Sequence, residues 1–271
     1  MTLIDSVVSY PPEHHVLRDL AFDVQFGRSV NRGWMPVNEF VCNARGRVQS
    51  GLVATLVDAI CGGLAAVTAA PGWIATADLS MHISRPIEGD VVEAVARVRR
   101  AGRTTVVLES EIFVDDREEP TGIATATFSV LQRRDTNPLM NLDLDDEQPR
   151  RSFVETTSAF QRPAYEACGF VRCNATTVEV PVHPYILNTL GGVQGGILAS
   201  LIDAATVNAL GDDFETADLH LTYLALAKQG PITAKAEIRE VRDAAGTVAV
   251  EVSDRGASRV TTRAQTVGVR W

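Results

Sequence analysis

Lysine is almost absent from this 271-residue sequence, which carries its positive charge on arginine and has only Lys228 and Lys235. The net charge of -9 argues against general nucleic-acid binding, because a phosphate surface would repel it. The four cysteines have no zinc-binding spacing and are too few for a disulfide scaffold. The five histidines include no pair at helical ligand spacing, so no metal is expected.

Targeting and membrane-spanning patterns are also lacking. The start, MTLIDSVVSYPPEHHVL, has neither the basic flank nor the apolar run of a signal peptide. No stretch holds the roughly eighteen consecutive apolar residues that a membrane span needs. The chain is 45% hydrophobic and 22% charged, as a soluble globular protein is. We therefore expect a cytoplasmic protein with reduced thiols that binds neither membrane nor nucleic acid.

The chain contains one internal repeat, with an offset of 145 positions. Residues 43–59 fall on 188–204, and nine of these seventeen positions are identical. The identical residues of the first copy are Asn43, Gly46, Val48, Gln49, Gly51, Ala54, Leu56, Asp58 and Ala59. Farther on, the letters TADL recur at Thr76 and Thr216. A period this long indicates a duplicated domain.

The segment between the two copies marks the domain boundary. It is acidic and carries Pro138 and Pro149, which is typical of an exposed connector. We place the first repeat at residues 1–135, the linker at 136–152 and the second repeat at 153–271.

Each repeat is expected to hold a short strand, a loop with an asparagine, one helix and an antiparallel meander. In the first repeat the strand is predicted at 34–41 and the helix at 50–69. The helix is apolar nearly all round, which indicates that other structure wraps it. The order predicts an α+β fold in which an antiparallel sheet wraps over one long helix per repeat.

Asp58 and Asp203 lie in these helices among almost entirely apolar neighbours. A buried carboxylate costs several kcal/mol unless it is paired, and neither residue has a cation one helical turn away. A structural explanation is a buried aspartate that accepts bonds from nearby hydroxyls or amides. Its occurrence in the same register of both copies favours a functional role.

Gly51 and Gly196 lie at the helix starts, directly after Ser50 and Gly195. Unpaired amides at a helix start carry partial positive charge and can hold a developing oxyanion, although an ordinary N-cap is the structural alternative. Along one helix, Gly51 and Asp58 are about 10 Å apart, too far to touch one carbonyl. We therefore expect antiparallel helices in which each aspartate serves the other helix start, giving two composite sites.

This combination resembles the hotdog fold, and specifically the phenylacetic-acid-type (PaaI-like) acyl-CoA thioesterases. That family has an Asn before the helix, fifteen positions ahead of a catalytic Asp, and a Ser or Thr on the next strand. The matching residues here are Asn43, Asp58 and Thr76, and Asn188, Asp203 and Thr216. The resemblance implies a fused double hotdog that hydrolyses acyl-CoA or another acyl thioester without a cofactor. Further homo-oligomerisation is left open.

For one composite site, the resemblance implies that Asn43 and the amide of Ser50 bind the thioester carbonyl. Asp203 and Thr216 would position or activate water across the interface. The aspartate acts either as general base or as nucleophile, and the sequence does not separate these roles.

For the other site, the resemblance implies that Asn188 and the amide of Gly195 face Asp58 and Thr76. The substrate is also expected to contact Gln49, Gln194, Gly51 and Gly196. The two glutamines stand where the family usually has His, and Ser50 stands where its first Gly is usual. Because the Cβ of a serine narrows the approach to the backbone, the site built on Gly195 and Asp58 is expected to be the better one.

The phosphates of CoA would need cations, and those available are Arg45, Arg47, Arg85, Arg99, Arg100, Arg103 and Lys228. Two other functions stay open. A non-catalytic acyl-CoA-binding module is compatible with both glutamines. An acyl thioester dehydratase or hydratase would need a histidine with an acidic partner, for which His183 is the main candidate, beside His82 and His220.

Overall fold

The computed structural model of the protein describes residues 10–115, 117–132, 150–152 and 160–271. Within these ranges the α-helices are α1 (Val16–Asp19), α2 (Ser50–Ala69), α3 (Ala164–Ala167) and α4 (Gly195–Leu210). A short 3-10 helix covers Pro184–Ile186.

The strands fall into two runs, one around each long helix. The first run is β1 (Asp23–Gln25), β2 (Val30–Pro36), β3 (Trp73–Ile83), β4 (Val91–Ala101), β5 (Thr105–Val114) and β6 (Gly122–Leu131), followed by β7 (Arg151–Ser152). The second run is β8 (Val171–Asn174), β9 (Thr177–Val180), β10 (Glu215–Tyr223), β11 (Ile232–Val241), β12 (Ala245–Asp254) and β13 (Arg259–Val269). Both runs place a short helix and two strands before the long helix and four strands after it.

The strands form one antiparallel sheet in the order β7-β1-β2-β4-β5-β6-β3-β10-β13-β12-β11-β9-β8. Apart from β7, this order reads the same outward from the central pair, β3 and β10. In that pair Asp78 lies opposite Thr222 and His82 lies opposite Asp218. The two halves of the chain are therefore joined by main-chain hydrogen bonds at the centre of the sheet.

Each half has a β-bulge beside the central pair. The register of β3 with β6 shifts between Thr76 and Asp78, and that of β10 with β13 shifts between Thr216 and Asp218. A bulge re-aims the adjacent side chain, and bulges are frequent next to functional sites. The repeated TADL motif therefore coincides with a structural feature, since it places a β-bulge at the same point of both halves.

Helix α2 packs under the sheet with apolar residues on most of its circumference. Its side chains Leu52, Leu56 and Leu64 have no exposed surface, and each buried leucine contributes about 1.5–3 kcal/mol. By length and composition alone α2 could cross a membrane, since an 18-residue stretch of its 20 residues has a mean hydropathy of 1.9, but 61% of that stretch is buried inside the protein. The expectation that no segment is apolar enough to span therefore holds only for uninterrupted apolar runs.

Two elements differ from the sequence-based expectations. The strand predicted at 34–41 begins earlier, at Val30, and ends at Pro36, because the side chain of Asn38 accepts a bond from the amide of Phe40 and turns the chain. Most of the predicted linker, residues 136–149, lies outside the described residues, and Arg151–Ser152 pair with β1. The domain boundaries therefore stay a prediction.

Candidate active site

The starts of the two long helices are capped by each other's aspartates. The N-cap residues Gln49 and Gln194 make no side-chain capping bond. Instead, the amide of Gly51 donates to Asp203 Oδ2 at 3.1 Å, and that of Gly196 donates to Asp58 Oδ2 at 3.0 Å. Each carboxylate thus satisfies one orphan amide and meets the positive end of a helix dipole.

These contacts show that α2 and α4 run antiparallel and cross closely. At the crossing, the hydroxyls of Thr55 and Ser200 lie 3.1 Å apart. A Cβ on Gly51 would lie 2.5 Å from the Cα of Ser200, and a Cβ on Gly196 would lie 2.5 Å from the Cα of Thr55. Only glycine permits this approach, which is what brings each aspartate to the opposite helix start.

We expect Gly196→Ala to destabilise the fold by about 1–3 kcal/mol, because the added methyl group would press on the backbone of α2. Gly62→Ala is the matched control, since a Cβ there would lie 3.6 Å from the ring of Phe128 in ordinary contact. It replaces glycine inside a helix and should be neutral or stabilising. Urea unfolding midpoints of both variants test this, and equal midpoints would disprove the close crossing.

Asp58 has few groups that favour its charge. It is 6% exposed, and besides Gly196 it accepts a bond from the Thr76 hydroxyl, Oγ1 to Oδ1 at 3.0 Å. In the part of the chain that the structure describes, no Lys, Arg or His forms an ion pair with it. Burial raises the pKa of Asp58 to about 6, and the bonds from Thr76 and Gly196 only partly offset that rise.

The amide of Gly195 is the free donor at this site. Among the described residues none accepts a bond from it, while a Cβ on Gly195 would lie 3.0 Å from Asp58 Oδ2. The carbonyl of the same residue accepts a bond from the Tyr223 hydroxyl at 2.8 Å. A buried carboxylate, an unpaired helix-start amide and a fixed backbone therefore lie side by side.

The opposite site has the same backbone layout and different side-chain partners. Asp203, which is 3% exposed, also accepts a bond from the Tyr165 hydroxyl at 2.5 Å. The Ser50 hydroxyl donates to the backbone oxygen of Thr216 at 2.6 Å. Burial raises the pKa of Asp203, opposed by the hydroxyls around it.

The structure gives the two asparagines a visible role in their loops. The side-chain oxygen of Asn43 accepts bonds from the amides of Arg45 and Arg47, and that of Asn188 accepts from Leu190 and Gly192. These bonds close the turn before each helix. Binding of a thioester carbonyl by the asparagines stays a prediction, for which the side-chain amide nitrogens are the available donors.

The glutamines that precede the helices have side-chain oxygens without hydrogen-bond donors in the described part of the chain. The side-chain oxygens of Gln49 and Gln194 are buried and have no hydrogen-bond partner within the described ranges. Their expected contact with substrate stays a prediction. Each is placed by its backbone at the helix start, where Leu52 and Leu198 donate to their carbonyls at 3.0 Å.

The histidines considered for dehydration lie away from both carboxylates. His183 bonds the carbonyl of Cys168 at 3.1 Å. His82 meets Asp218 at 2.7 Å and His220 meets Asp78 at 3.1 Å, but both pairs are exposed on the outer face of the sheet. Each of these histidine–carboxylate pairs links a side chain of β3 to a side chain of β10.

The sequence-based expectations omitted three tyrosines that surround the aspartates. Tyr165 bonds Asp203 directly, whereas the hydroxyls of Tyr10 and Tyr223 donate to backbone carbonyls near Asp58. Burial and the charge of Asp58 raise the pKa of Tyr10 and Tyr223, so both remain neutral donors. None of the three lies in the repeated motif, so the repeat gave no signal for them.

Comparison with known proteins identifies related folds. Residues 46–121, which hold α2, β3, β4 and β5, match the model of the thioesterase superfamily. Comparison with curated proteins gives no match.

Several solved structures are similar over nearly the whole chain. The tesB protein of Mycobacterium avium subs paratuberculosis has 11% identity and a TM-score of 0.61, with 94% of this chain and 97% of that chain covered. The 12:0-ACP thioesterase from Umbellularia californica has 10% identity and a TM-score of 0.60, covering 88% and 93%. A hot dog fold protein from Alicyclobacillus acidocaldarius has 12% identity and a TM-score of 0.59, covering 95% and 98%. The chain therefore has the hotdog fold, and its residues 46–121 match the thioesterase superfamily.

Proposed function

We propose that the protein is a fused double hotdog of the PaaI-like type that hydrolyses an acyl thioester to the free acid and CoA. The observation that carries this proposal is the buried carboxylate of Asp58 beside the unpaired amide of Gly195. A purely structural aspartate would not need to keep its charge there, because an asparagine could accept the same bond from Gly196. The match of residues 46–121 to thioesterases and the symmetrical sheet also support the proposal.

The site can supply each part of a hydrolysis. The oxygen of the thioester carbonyl would accept a hydrogen bond from the N–H of Gly195. This donor lies at the positive end of α4, which stabilises the negative charge that develops on that oxygen. Ionised Asp58 would take a proton from water as the water oxygen attacks the carbonyl carbon, or would itself attack that carbon to form a mixed anhydride that water then hydrolyses to the free acid and Asp58. The carbon–sulfur bond then breaks, and the thiolate of CoA leaves and is protonated. Thr76 holds Asp58 toward the helix start.

A cation for the CoA phosphates is available beside this site. Lys228 is exposed, and its Nζ donates to the carbonyl of Leu190 at 2.7 Å, in the loop that leads into α4. The arginines before α2 are less free, because Arg45 and Arg47 pair with Glu215 at 3.6 and 3.0 Å. We therefore assign the carrier phosphates to the Lys228 side of the molecule.

Activity should depend on pH through Asp58. Because burial raises the pKa of Asp58 to about 6, kcat/KM should fall roughly tenfold per pH unit below that value and level off above it. The thiol of Cys61 does not titrate in this pH range, because burial raises its pKa. A kcat/KM profile between about pH 4.5 and 8, with folding checked by circular dichroism, measures the midpoint. A flat profile would contradict the assignment of Asp58.

Release of free thiol from a panel of straight-chain, branched and aromatic acyl-CoA substrates, with matching acyl-carrier-protein thioesters, tests the function. Cleavage of at least one class, with loss of cleavage in Asp58→Asn, is expected. Asp218→Asn is the matched control, since it makes the same change on the exposed face of the sheet. Binding of acyl-CoA without cleavage would favour a binding module, and hydration of an enoyl thioester would favour a hydratase.

A further inference from the structure

We propose that Tyr165 closes the composite site built on Asp203, so that the chain has a single open site, at Asp58. The proposal rests on the proposed function, which supplies the class of ligand. Its basis is a difference between two otherwise matching sites. Both carboxylates cap a helix start, but Asp203 also receives the Tyr165 hydroxyl at 2.5 Å, whereas the second partner of Asp58 is Thr76 at 3.0 Å.

The Tyr165 hydroxyl lies against the start of α2, where the amide of Ser50 would bind the substrate carbonyl. A Cβ on Gly51 would lie 2.4 Å from that hydroxyl, so the phenol sits directly over the start of α2. At the other site, the three atoms nearest to a Cβ on Gly196, the residue that matches Gly51, all belong to Thr55, at 2.5 to 3.0 Å, and none belongs to a phenol. A carbonyl approaching the start of α2 would therefore meet the phenol, while the matching position at the start of α4 has no phenol among its three nearest atoms in the described chain.

The bond itself also makes Asp203 a weaker base. A hydroxyl that donates to a carboxylate at 2.5 Å makes a short, charge-assisted hydrogen bond. Burial and the nearby charge of Asp203 raise the pKa of Tyr165, so the phenol stays a donor. Oδ2 of Asp203 is shared between the Tyr165 hydroxyl and the amide of Gly51.

Tyr165 is held in place by the short helix α3. The amide of Ala164 donates to the carbonyl of Phe40 at 2.8 Å, and the rings of Tyr165 and Phe170 lie 5.1 Å apart. The anchor to Phe40 ties α3 to the turn that precedes α2. The closing side chain therefore belongs to a packed element and not to a loose loop.

The first repeat has the same short helix but no phenol on it. Helices α1 and α3 are each four residues long and are followed two residues later by a positive φ, at Ala21 (53°) and Gly169 (81°), and then by Phe22 and Phe170. This alignment places Leu17 opposite Tyr165. Leucine cannot donate to a carboxylate, which explains why Asp58 lacks this partner.

Tyrosines do lie near Asp58, but their hydroxyls are committed elsewhere. Tyr10 donates to the carbonyl of Leu187 at 3.2 Å, and Tyr223 donates to the carbonyl of Gly195 at 2.8 Å. Both bonds hold the backbone around the start of α4 and leave the carboxylate to Thr76 and Gly196. The two sites therefore differ in whether a phenol occupies the catalytic position.

Stoichiometry of binding tests the proposal. The probe is S-(2-oxooctyl)-CoA, a ketone that resembles an acyl thioester but has a methylene group between sulfur and carbonyl and cannot be hydrolysed. Calorimetric titration should give one equivalent per chain for the parent. Tyr165→Leu installs the residue of the first repeat and should give two, and Tyr165→Ala is the second variant, with unfolding curves showing that each is folded.

A parent that binds two equivalents, or folded variants that both still bind one, would overturn the closure by Tyr165. A parent that binds none would overturn the open site at Asp58. If the parent binds one equivalent and the variants bind two, but no thioester is cleaved, the closure stands and the proposed function fails.

Discussion

Asp58→Asn should lower thioester cleavage at least about 100-fold, because general-base catalysis contributes on the order of 10² to 10⁴ in rate. The amide keeps an oxygen that can accept from Gly196 and Thr76, so the helix start stays capped. The size of the loss also reports on the second site. If both sites turned over equally, the variant would keep about half of the activity.

The same substitution should not weaken the fold, and its effect on stability has a defined sign. The pKa of Asp58 is about 6 in the folded chain against an ordinary 3.8, so the folded state binds the proton more tightly than the unfolded state. The contribution of Asp58 to stability is therefore largest below pH 3.8 and is lost as the pH rises to about 6, by about 3 kcal/mol in total. Asparagine does not titrate, so the Asp58→Asn variant does not lose this stability as the pH rises.

Two measurements on one preparation check this prediction. Free-thiol release gives the rate, and thermal unfolding at pH values on both sides of 6 gives the stability difference, which should widen in favour of the variant as the pH rises. A variant that is inactive and also less stable at pH 8 would mean that Asp58 is needed for the fold. A variant that keeps activity within tenfold would remove Asp58 from the chemistry.

The sequence predicted the long elements of this fold well, and the reason is physical. Helix α2 was predicted at its observed bounds, because apolar residues cover nearly its whole circumference. The hotdog fold that the family resemblance implied is confirmed by structures that cover nearly the whole chain. The tandem layout of two such folds belongs to the proposed function.

The short elements were not predictable in the same way. Helices α1 and α3 have four residues each, which is too few to show a hydrophobic period. Tyr165 lies on α3 and approaches Asp203 only because the chain folds back over the start of α2. A residue that acts through such a long-range contact leaves no local pattern.

The position of Asp58 at the opposite helix start follows from an argument about length. A helix rises about 1.5 Å per residue, so one helix cannot bring its own start and its own aspartate to a single carbonyl. The structure brings Asp58 to Gly196 and Asp203 to Gly51. Side chains outside the repeated motif fill the space around the two carboxylates. The repeat therefore does not predict them.

Gly195→Pro should lower activity by a further 10² to 10³ relative to Gly195→Ala, because only the proline removes the N–H that would bind the oxyanion, and loss of one such donor costs roughly that much. Proline is well tolerated at the first position of a helix. It also requires an extended residue before it, and Gln194 already has φ -61° and ψ 143°.

The alanine variant is the control that isolates this donor. Its Cβ would lie 3.0 Å from Asp58 Oδ2, as would the Cβ of the proline, so both variants crowd the carboxylate to a similar degree. The two variants thus differ in the N–H and in the ring carbon that replaces it, and the ratio of their kcat/KM values sets an upper limit on what that donor contributes. Equal activity of the two variants, with matching unfolding curves, would show that the start of α4 does not hold the reacting carbonyl.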